Sequence, residues 1–250
     1  MRYQILLIVC SALVLFFVNC QLNFSGAAAE TAAAQFVAQR GTPVIDGEPA
    51  DAVWQNAAWQ PLNNVWLGDS ILKKEDFSGR YKLAWDQNNL YILAEITDDT
   101  LADFHPDGLD RYWDDDCLEI FLDEDASGGN HQYSYNAFAY HVALDGRVVD
   151  INPDSAFQYY DDHLLARRKT TGNVSVWEIA VKVFNDQYTD GEENIPRLLT
   201  QGKLLGFALA YCDNDRSPER EQFIGNVPIS GTDKNLGWID AGVFGRLSLE

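Results

Sequence analysis

Hydrophobic and polar residues alternate with a period of two along most of this chain. Residues 81–85 (YKLAW) carry large apolar side chains at every second position, the polar break DQNN follows at 86–89, and apolar residues resume at 90–96. A period of two places every second side chain on one face of a strand. Two such runs around a four-residue polar break predict a β-hairpin.

Several other segments show the same period, and turn-forming residues such as Asp and Gly separate them. The sequence therefore predicts further strands at residues 43–47, 118–122, 133–144, 177–183, 206–212 and 244–249. Helical signal is confined to one turn that follows Asp51 and to a stretch around residues 195–200. Many short strands predict an all-β fold, a single antiparallel β-sandwich with jelly-roll or immunoglobulin-like layering and short helical turns.

The N-terminus has the organisation of a secretory signal. Arg2 precedes an apolar run at residues 5–18, which is shorter than the roughly 20 residues that a membrane span requires. We therefore predict a signal peptide at residues 1–29, with small residues at 27–29 for cleavage. Cys20 offers an alternative lipoprotein site, although Asn19 stands where such sites carry a small residue. Either route leads to export, periplasmic or extracellular, with no membrane-spanning segment after processing.

Residues 30–40 are predicted to be a flexible leader and residues 41–250 one domain. The chain carries 18 basic and 38 acidic residues, a net charge of −20. Such a surface repels phosphate backbones and anionic lipids, so nucleic acid is not an expected partner. No nucleotide-binding motif occurs. Cys117 and Cys212 are either two free thiols or a disulfide, and both alternatives stay open at this point.

Five segments together resemble the family 9 carbohydrate-binding modules, which are β-sandwich domains attached to bacterial plant-cell-wall hydrolases. They are residues 41–48 (GTPVIDGE) with 53–54 (VW), 83–92 (LAWDQNNLYI), 113–123 (WDDDCLEIFLD), 235–238 (NLGW) and 244–247 (FGRL). Their order spans nearly all of the predicted domain. The resemblance implies an exported, non-catalytic protein that stacks a sugar ring between two surface tryptophans and serves polysaccharide degradation.

The resemblance also implies which residues bind the sugar. The two tryptophans correspond to Trp113 and Trp238, a hydrogen-bonding glutamate to Glu119 and an asparagine to Asn235. The family's arginine has no counterpart, because Tyr140 and His141 stand on the expected strand, and His141 is included in the predicted site. Aromatic rings suit the apolar faces of a pyranose and polar groups suit its hydroxyl rim. The period-two pattern places Glu119 on the face that points away from the core.

Calcium occurs in the resembling family, and we expect it here as a structural ion. Asp123, Asp125 and Ser127 match the first half of an EF-hand loop, but Ser134 occupies the position of the bidentate glutamate, so an acidic hairpin turn is the alternative.

Two other functions remain open at the level of the sequence. A small glycoside hydrolase needs only a suitable pair of carboxylates, which 38 acidic residues could supply. A periplasmic haem-binding sandwich would need ligation without methionine, since the single methionine is Met1. We expect no haem.

Overall fold

A computed structural model describes residues 35–69, 71–105 and 107–250. Within these residues the chain is 41% strand and 4% helix, which confirms the predicted all-β class. The strands are β1 Phe36–Arg40, β2 Gln60–Leu62, β3 Asn64–Leu67, β4 Phe77–Trp85, β5 Leu90–Asp98, β6 Cys117–Asp123, β7 Phe138–Ala143, β8 Val148–Ile151, β9 Phe157–Tyr159, β10 Leu164–Thr171, β11 Val174–Val181, β12 Leu204–Asp213, β13 Gln222–Gly225 and β14 Gly245–Leu249. One short helix, α1, spans Ala52–Asn56, and a 3-10 turn spans Ala241–Val243.

The strands form two sheets joined by β1. The first sheet has the order β10–β11–β5–β4, with β2 paired to β4, and the second has the order β14–β12–β6–β7–β8–β9, with β13 between β12 and β3. The first half of β1 runs parallel to β14 and its last two residues run parallel to β4. The other pairings are antiparallel, as predicted for a mainly antiparallel sandwich.

The core lies where the apolar faces of both sheets meet. Leu118 and Ile120 of the second sheet belong to the same buried cluster as Trp85, Ile92 and Trp177 of the first sheet. Burial of these side chains supplies the main driving force for folding, at about 25 cal/mol per Å² of apolar surface. A smaller cluster on the other face of the first sheet is formed around Trp54 of α1.

The hairpin predicted from residues 81–96 is confirmed as β4 and β5, with Trp85 paired to Leu90 across the turn. Asp86 organises this turn, since one carboxylate oxygen accepts the backbone N–H groups of Asn88 and Asn89 at 2.8 and 2.9 Å. Its other oxygen accepts a hydrogen bond from the Tyr91 hydroxyl at 2.7 Å. Asp favours turns because its side chain can satisfy backbone donors in this way.

The predicted flexible leader at residues 30–40 is wrong for its last five residues, which form β1. Phe36 and Ala38 are buried on alternate positions and pair with β14. Phe36 packs edge-on against Tyr81 and Phe207 at 6.3 and 6.1 Å between ring centroids. The Ala-rich composition obscured this strand, because a segment with only one large apolar side chain gives little periodic signal.

Three other sequence predictions differ from the structure. Residues 43–47 form no strand, because their backbone groups bond to side chains, as Gly47 does to Glu178 at 2.8 Å. Residues 195–200 form no helix, and the N–H of Leu199 donates to the carbonyl of Gln87 in another segment. The strand predicted at 133–144 begins only at Phe138, since Tyr133 has a positive φ of 58° that an extended strand does not accommodate.

Glu178 connects the loop that precedes α1 to the first sheet. It is fully buried, and its carboxylate accepts hydrogen bonds from the Trp54 indole and the Gly47 N–H, both at 2.8 Å, and from the Asp46 N–H at 3.2 Å. Replacing Glu178 by alanine leaves these donors without their charged acceptor. We expect Glu178→Ala to lower the free energy of unfolding by about 3 kcal/mol.

Urea titration followed by tryptophan fluorescence measures this change. Glu95 on the adjacent strand β5 provides a matched control, because it makes a partly exposed ion pair with Arg80, and Glu95→Ala should cost less than about 1 kcal/mol. Equal losses in the two variants would contradict the assigned role of Glu178.

No helix in the part of the chain that the structure describes is long and apolar enough to cross a membrane. The predicted signal and the alternative lipoprotein site at Cys20 lie outside the described residues.

Candidate functional site

A concave pocket of about 350 Å³ opens on the second sheet, on the face that carries Glu119 and His141. We call it the aromatic pocket. Its lining residues are Tyr112, Trp113, Glu119, Tyr133, Ala139, His141, Asp150, Ile151, Phe157, Arg220, Asn235 and Trp238. This volume is at the lower end of the range for small-molecule sites, which corresponds to a small ligand or to the end of a larger one.

All five residues of the predicted sugar site line this pocket. The structure brings together Trp113, Glu119, His141, Asn235 and Trp238 from the loop before β6, from β6 and β7, and from the loop after β13. Both tryptophans are partly exposed and lie in turns, whereas Trp54, Trp85 and Trp177 are buried as expected for core residues. The sugar-binding role of the five residues remains a prediction.

The loop that carries Trp113 is fixed by the three aspartates that follow it. Asp114, Asp115 and Asp116 are buried. Asp115 accepts the N–H of Phe104 at 2.7 Å, and Asp116 accepts the N–H of Ala102 at 2.6 Å. Buried carboxylates require such partners, so the polar run beside Trp113 anchors the loop.

The aromatic side chains on this wall of the pocket support one another. Trp113 packs edge-on against Tyr112 and Phe157, at 5.0 and 5.5 Å between ring centroids. Tyr112 also packs edge-on against the His141 ring at 4.5 Å. Edge-to-face pairs of this kind stabilise ring orientation beyond simple area burial. Tyr112 and Phe157 were not predicted from the sequence.

A second loop presents Trp238 and depends on a glycine. A Cβ at Gly237 would lie 2.7 Å from the Phe121 ring, which is closer than carbon atoms approach. The Gly237 carbonyl lies 2.7 Å from Nε2 of His131, and the Ile239 carbonyl accepts the His131 N–H at 2.9 Å. Glycine therefore lets the loop lie directly on Phe121 while His131 holds it in place, with Asn235 three residues before the tryptophan.

The pocket floor corrects the predicted position of Glu119. The residue was expected on a solvated face, but it is 2% exposed, because loops and Trp66 cover this face as well. Trp66 packs against Phe121 and Phe223 at 5.9 and 5.0 Å between centroids. Both faces of β6 are therefore buried, and a period-two pattern cannot show that its polar-looking face is covered too.

His141 is the hydrogen-bonding partner of Glu119. Its Nε2 lies 3.2 Å from Glu119 Oε2, and its Nδ1 lies 3.2 Å from the Ala139 carbonyl. Burial lowers the pKa of His141, but the adjacent Glu119 carboxylate outweighs burial, so the pKa is raised overall. The buried Glu119 carboxylate at the pocket floor is therefore hydrogen-bonded to His141 and not left without a partner.

Two further charged residues line the pocket, and sequence reasoning missed both. Asp150 is buried, and its two oxygens accept the N–H groups of Ala139 at 2.8 Å and Ile151 at 2.7 Å. Burial raises the pKa of Asp150 to about 7. Arg220 enters from the loop between β12 and β13, with its guanidinium 4.1 Å from the Phe223 ring centroid.

Arg220 bears on the predicted absence of the family's arginine. The resemblance led us to expect that arginine on the strand that is β7, where Tyr140 and His141 stand. The structure brings an arginine into the same pocket from a segment about 80 residues further along the chain. The sequence signal was weak, because Arg220 lies in a charged loop (DNDRSPER) in which no period distinguishes it.

The loop with Asp123, Asp125 and Ser127 has the hydrogen bonds of an acidic hairpin turn. Asp123 accepts the N–H of Gly128 at 2.8 Å and that of Asp125 at 3.2 Å, and Asp125 accepts the N–H of Ser127 at 3.0 Å. Burial raises the pKa of Asp123 to about 6.

A second acidic group, absent from the sequence prediction, fits calcium better. Asp98, Asp116 and Asp213 are buried together, with one carboxylate oxygen of each within 4.8 Å of the others. Burial is the main cause that raises the pKa of Asp116 to about 9 and that of Asp213 to about 8, and the Asp98 carboxylate adds to both. Three anions in so small a buried volume repel one another unless protons or a cation neutralise them.

Gln222 lies beside this group as the cross-strand partner of Asp213. It is 8% exposed and its Oε1 has no hydrogen-bond partner within the described residues, while its Nε2 donates to Asp76 at 3.1 Å. Asp76 belongs with Asp99 and Asp215 to an adjacent acidic group. Buried carbonyl oxygens and carboxylates are the ligands that calcium prefers, so these residues fit the ion that the sequence led us to expect.

Comparison with known proteins identifies the family to which this fold belongs. Residues 45–250 match the family model for the carbohydrate family 9 binding domain-like proteins. A carbohydrate-binding module of family 9 from Caldicellulosiruptor kristjanssonii, solved in complex with cellotriose, has a TM-score of 0.63 at 22% sequence identity, and the match covers 86% of this chain and 93% of that chain. A family 9 carbohydrate-binding module from the same organism, solved in complex with glucose, has a TM-score of 0.62 at 22% sequence identity, and the match covers 86% of this chain and 95% of that chain.

Two enzymes contain a similar segment. Endo-1,4-beta-xylanase A of Thermotoga maritima is 26% identical over 214 residues, which are 85% of this chain and 17% of the enzyme. Endo-1,4-beta-xylanase A of Thermoanaerobacterium saccharolyticum is 27% identical over 214 residues, which are 84% of this chain and 15% of the enzyme. The chain thus spans less than a fifth of the length of these relatives. With a family model matched across most of the chain, this protein belongs to the carbohydrate family 9 binding domain-like family.

Proposed function

We propose that this protein binds carbohydrate without catalysing a reaction, by holding the end of a glycan in the aromatic pocket. The observation that carries this proposal is the convergence of Trp113 and Trp238 with three hydrogen-bonding residues in one concave site. A pyranose ring offers apolar faces to the indoles by dispersion and hydroxyl groups to the polar residues. Arg220 and the Glu119–His141 pair supply donors and acceptors at the floor.

We propose β-1,4-linked plant-cell-wall oligosaccharides as the ligands. The similar module from Caldicellulosiruptor kristjanssonii was solved with cellotriose and with glucose, and the similar segments of the bacterial enzymes belong to xylanases. The pocket volume of about 350 Å³ suits one or two sugar rings, which favours a chain end over a chain interior. In this role the protein would serve polysaccharide degradation.

Isothermal titration with cellotriose, xylotriose and their borohydride-reduced forms tests the proposal. We expect binding of at least one trisaccharide. Because an opened ring has no flat face to stack, a marked loss with the reduced sugars would assign the reducing end to the pocket, and unchanged binding would assign the other end. Maltotriose serves as the control for linkage. Failure of all these sugars and of a wider glycan array to bind would contradict the proposal.

The same samples separate binding from glycoside hydrolysis. Glu119 and Asp150 both line the pocket, but Glu119 is paired with His141 and both oxygens of Asp150 accept backbone N–H groups. A general acid needs a free proton aimed at the leaving group. We therefore expect no release of reducing sugar from xylan, cellulose or aryl glycosides, and turnover would favour the hydrolase instead.

We further propose calcium as a structural ion, held by Asp98, Asp116 and Asp213 with Gln222 nearby. When bound, a divalent cation neutralises the buried carboxylates. Asp98 ends β5, Asp116 precedes β6 and Asp213 ends β12, so the ion would tie three strand ends together. It would also stabilise the buried aspartates of the loop that presents Trp113.

Export is the last part of the proposed function. The apolar run at residues 5–18 after Arg2 supports a cleaved signal, and a glycan-binding module that serves wall degradation must meet its polymer outside the cytoplasm. Mass spectrometry of the protein from its host should find a mature N-terminus beyond residue 18. An intact residue 1 would contradict export by this route, and a lipid on Cys20 would assign lipoprotein anchoring.

A further inference from the structure

Two cysteines and a histidine meet beneath the aromatic pocket. Cys117 of β6 pairs with Cys212 of β12, and the neighbouring Glu119 of β6 pairs with His141 of β7. Paired residues share a face of a sheet, and so do residues two apart on one strand, so all four side chains point to the pocket side. The two sulfurs and one imidazole nitrogen lie within 4.8 Å of one another, and the three residues are buried.

We propose that Cys117, Cys212 and His141 bind one zinc ion, with a carboxylate oxygen of Glu119 in the fourth position. Zinc prefers cysteine sulfur and histidine nitrogen in a tetrahedral arrangement, with bonds of about 2.3 and 2.0–2.1 Å. Two sulfurs around such an ion stand about 3.8 Å apart, so ligand atoms within 4.8 Å need only a small adjustment. This site is separate from the proposed calcium site, and it shares Glu119 and His141 with the floor of the aromatic pocket.

The imidazole is oriented as a metal ligand would be. His141 directs Nδ1 to the Ala139 carbonyl at 3.2 Å, which leaves Nε2 facing the interior of the cluster. Zinc-bound histidines commonly donate their second ring nitrogen to a carbonyl or carboxylate in this way. Glu119 Oε2 lies 3.2 Å from Nε2 and 4.0 Å from the Cys212 sulfur, near the spacing of two ligands on one tetrahedral ion.

Charge also balances at this site. Zinc with two thiolates and a neutral imidazole has no net charge, and Glu119 is then compensated by Arg220, whose guanidinium donates to the Cys212 sulfur at 3.2 Å. A hydrogen-bond donor to a ligating sulfur is a usual supporting contact around thiolate sites. The cluster therefore holds both the ligands and the counter-charge that a buried zinc ion needs.

The alternative for these cysteines is a disulfide, and the strand register disfavours it. The carbonyl of Leu209 accepts the N–H of Asn226 at 2.9 Å, and that of Asp213 accepts the N–H of Glu221 at 2.8 Å, both on the β13 side. Successive residues of a strand direct their backbone N–H and C=O groups to alternate sides. Cys212 follows Leu209 by three residues and precedes Asp213 by one, so its backbone groups point toward β6, and Cys117 and Cys212 form a hydrogen-bonded pair. In a hydrogen-bonded pair the Cβ atoms stand at the wide end of the range of about 4.5–5.5 Å for directly opposite residues, whereas a disulfide needs Cβ atoms about 3.5–4.5 Å apart.

Cobalt substitution tests the proposal on the full chain. Reduced protein stripped of metal is titrated with Co²⁺, and we expect one equivalent to produce tetrahedral d–d bands together with a thiolate-to-cobalt charge-transfer band, both removed by added Zn²⁺. Cys117→Ser and Cys212→Ser should each weaken Co²⁺ binding by more than about 100-fold. Asp213→Asn, in the separate acidic group, is the matched control and should leave the spectrum unchanged.

The wild-type spectrum decides the question even if a cysteine variant fails to fold. Absence of the charge-transfer band in reduced, folded wild-type protein overturns the proposal. A Cys117–Cys212 disulfide in protein isolated from its host without reductant also overturns it. Sugar titrations are read separately, so loss of the zinc site and failure of glycan binding remain distinguishable.

Discussion

Replacing Trp238 by alanine should lower the affinity for a bound oligosaccharide by about 30-fold, which corresponds to about 2 kcal/mol. Trp238 lies in a turn at the pocket and is partly exposed, so it is available to a ligand. Removing the indole deletes the dispersion contacts with one face of the sugar. Because the side chain lies outside the buried core, we expect the melting temperature to change little.

The measurement is a titration of Trp238→Ala with the best trisaccharide ligand, beside a thermal melt. Trp59 is the matched control, since it is also partly buried but contacts Arg80 and Lys82 on the other sheet. Trp59→Ala should keep the wild-type affinity. Equal affinity in the Trp238 and wild-type proteins would show that the aromatic pocket does not stack the sugar.

Adding calcium to metal-stripped protein should raise the melting temperature by about 5–10 °C. An ion present at 100 times its dissociation constant stabilises the native state by about 2.7 kcal/mol through mass action, and each kcal/mol shifts the melting temperature by about 2–4 °C for a domain of this size. The carboxylates of Asp98, Asp116 and Asp213 are the source of the effect, because their mutual repulsion is relieved by the cation.

Asp213→Asn separates this site from the hairpin turn at Asp123. The variant removes one buried charge, so calcium should no longer raise its melting temperature, while its stability without calcium should equal or exceed that of the stripped wild type. Asp125→Asn is the control and should keep the full response. If calcium no longer raised the melting temperature of Asp125→Asn but still raised that of Asp213→Asn, the ion would be assigned to the hairpin turn at Asp123.

The strands with strong alternation were determined by the sequence alone. The turn-side ends of the β4–β5 hairpin, Trp85 and Leu90, could be predicted to the residue, because Tyr81, Leu83 and Trp85 alternate along the strand and Asp86 supplies the turn. The outer ends lie four residues before and two residues after the predicted runs. The two pocket tryptophans and Asn235 were predicted through the resemblance to the family 9 carbohydrate-binding modules, whose motifs are short stretches of neighbouring residues. Period and turn chemistry are local properties, and local properties can be read from neighbouring residues.

Only the tertiary structure decided the features that depend on contacts between segments distant in the sequence. Glu119 looks solvated in its own strand and is buried because Trp66 and the loops cover that face. Arg220 reaches the pocket from a loop without periodic signal, and the buried acidic group gathers Asp98, Asp116 and Asp213 from three strand ends. Periodicity reports which side chains share a face, but not what covers that face or which distant residues meet there, because packing between segments fixes both.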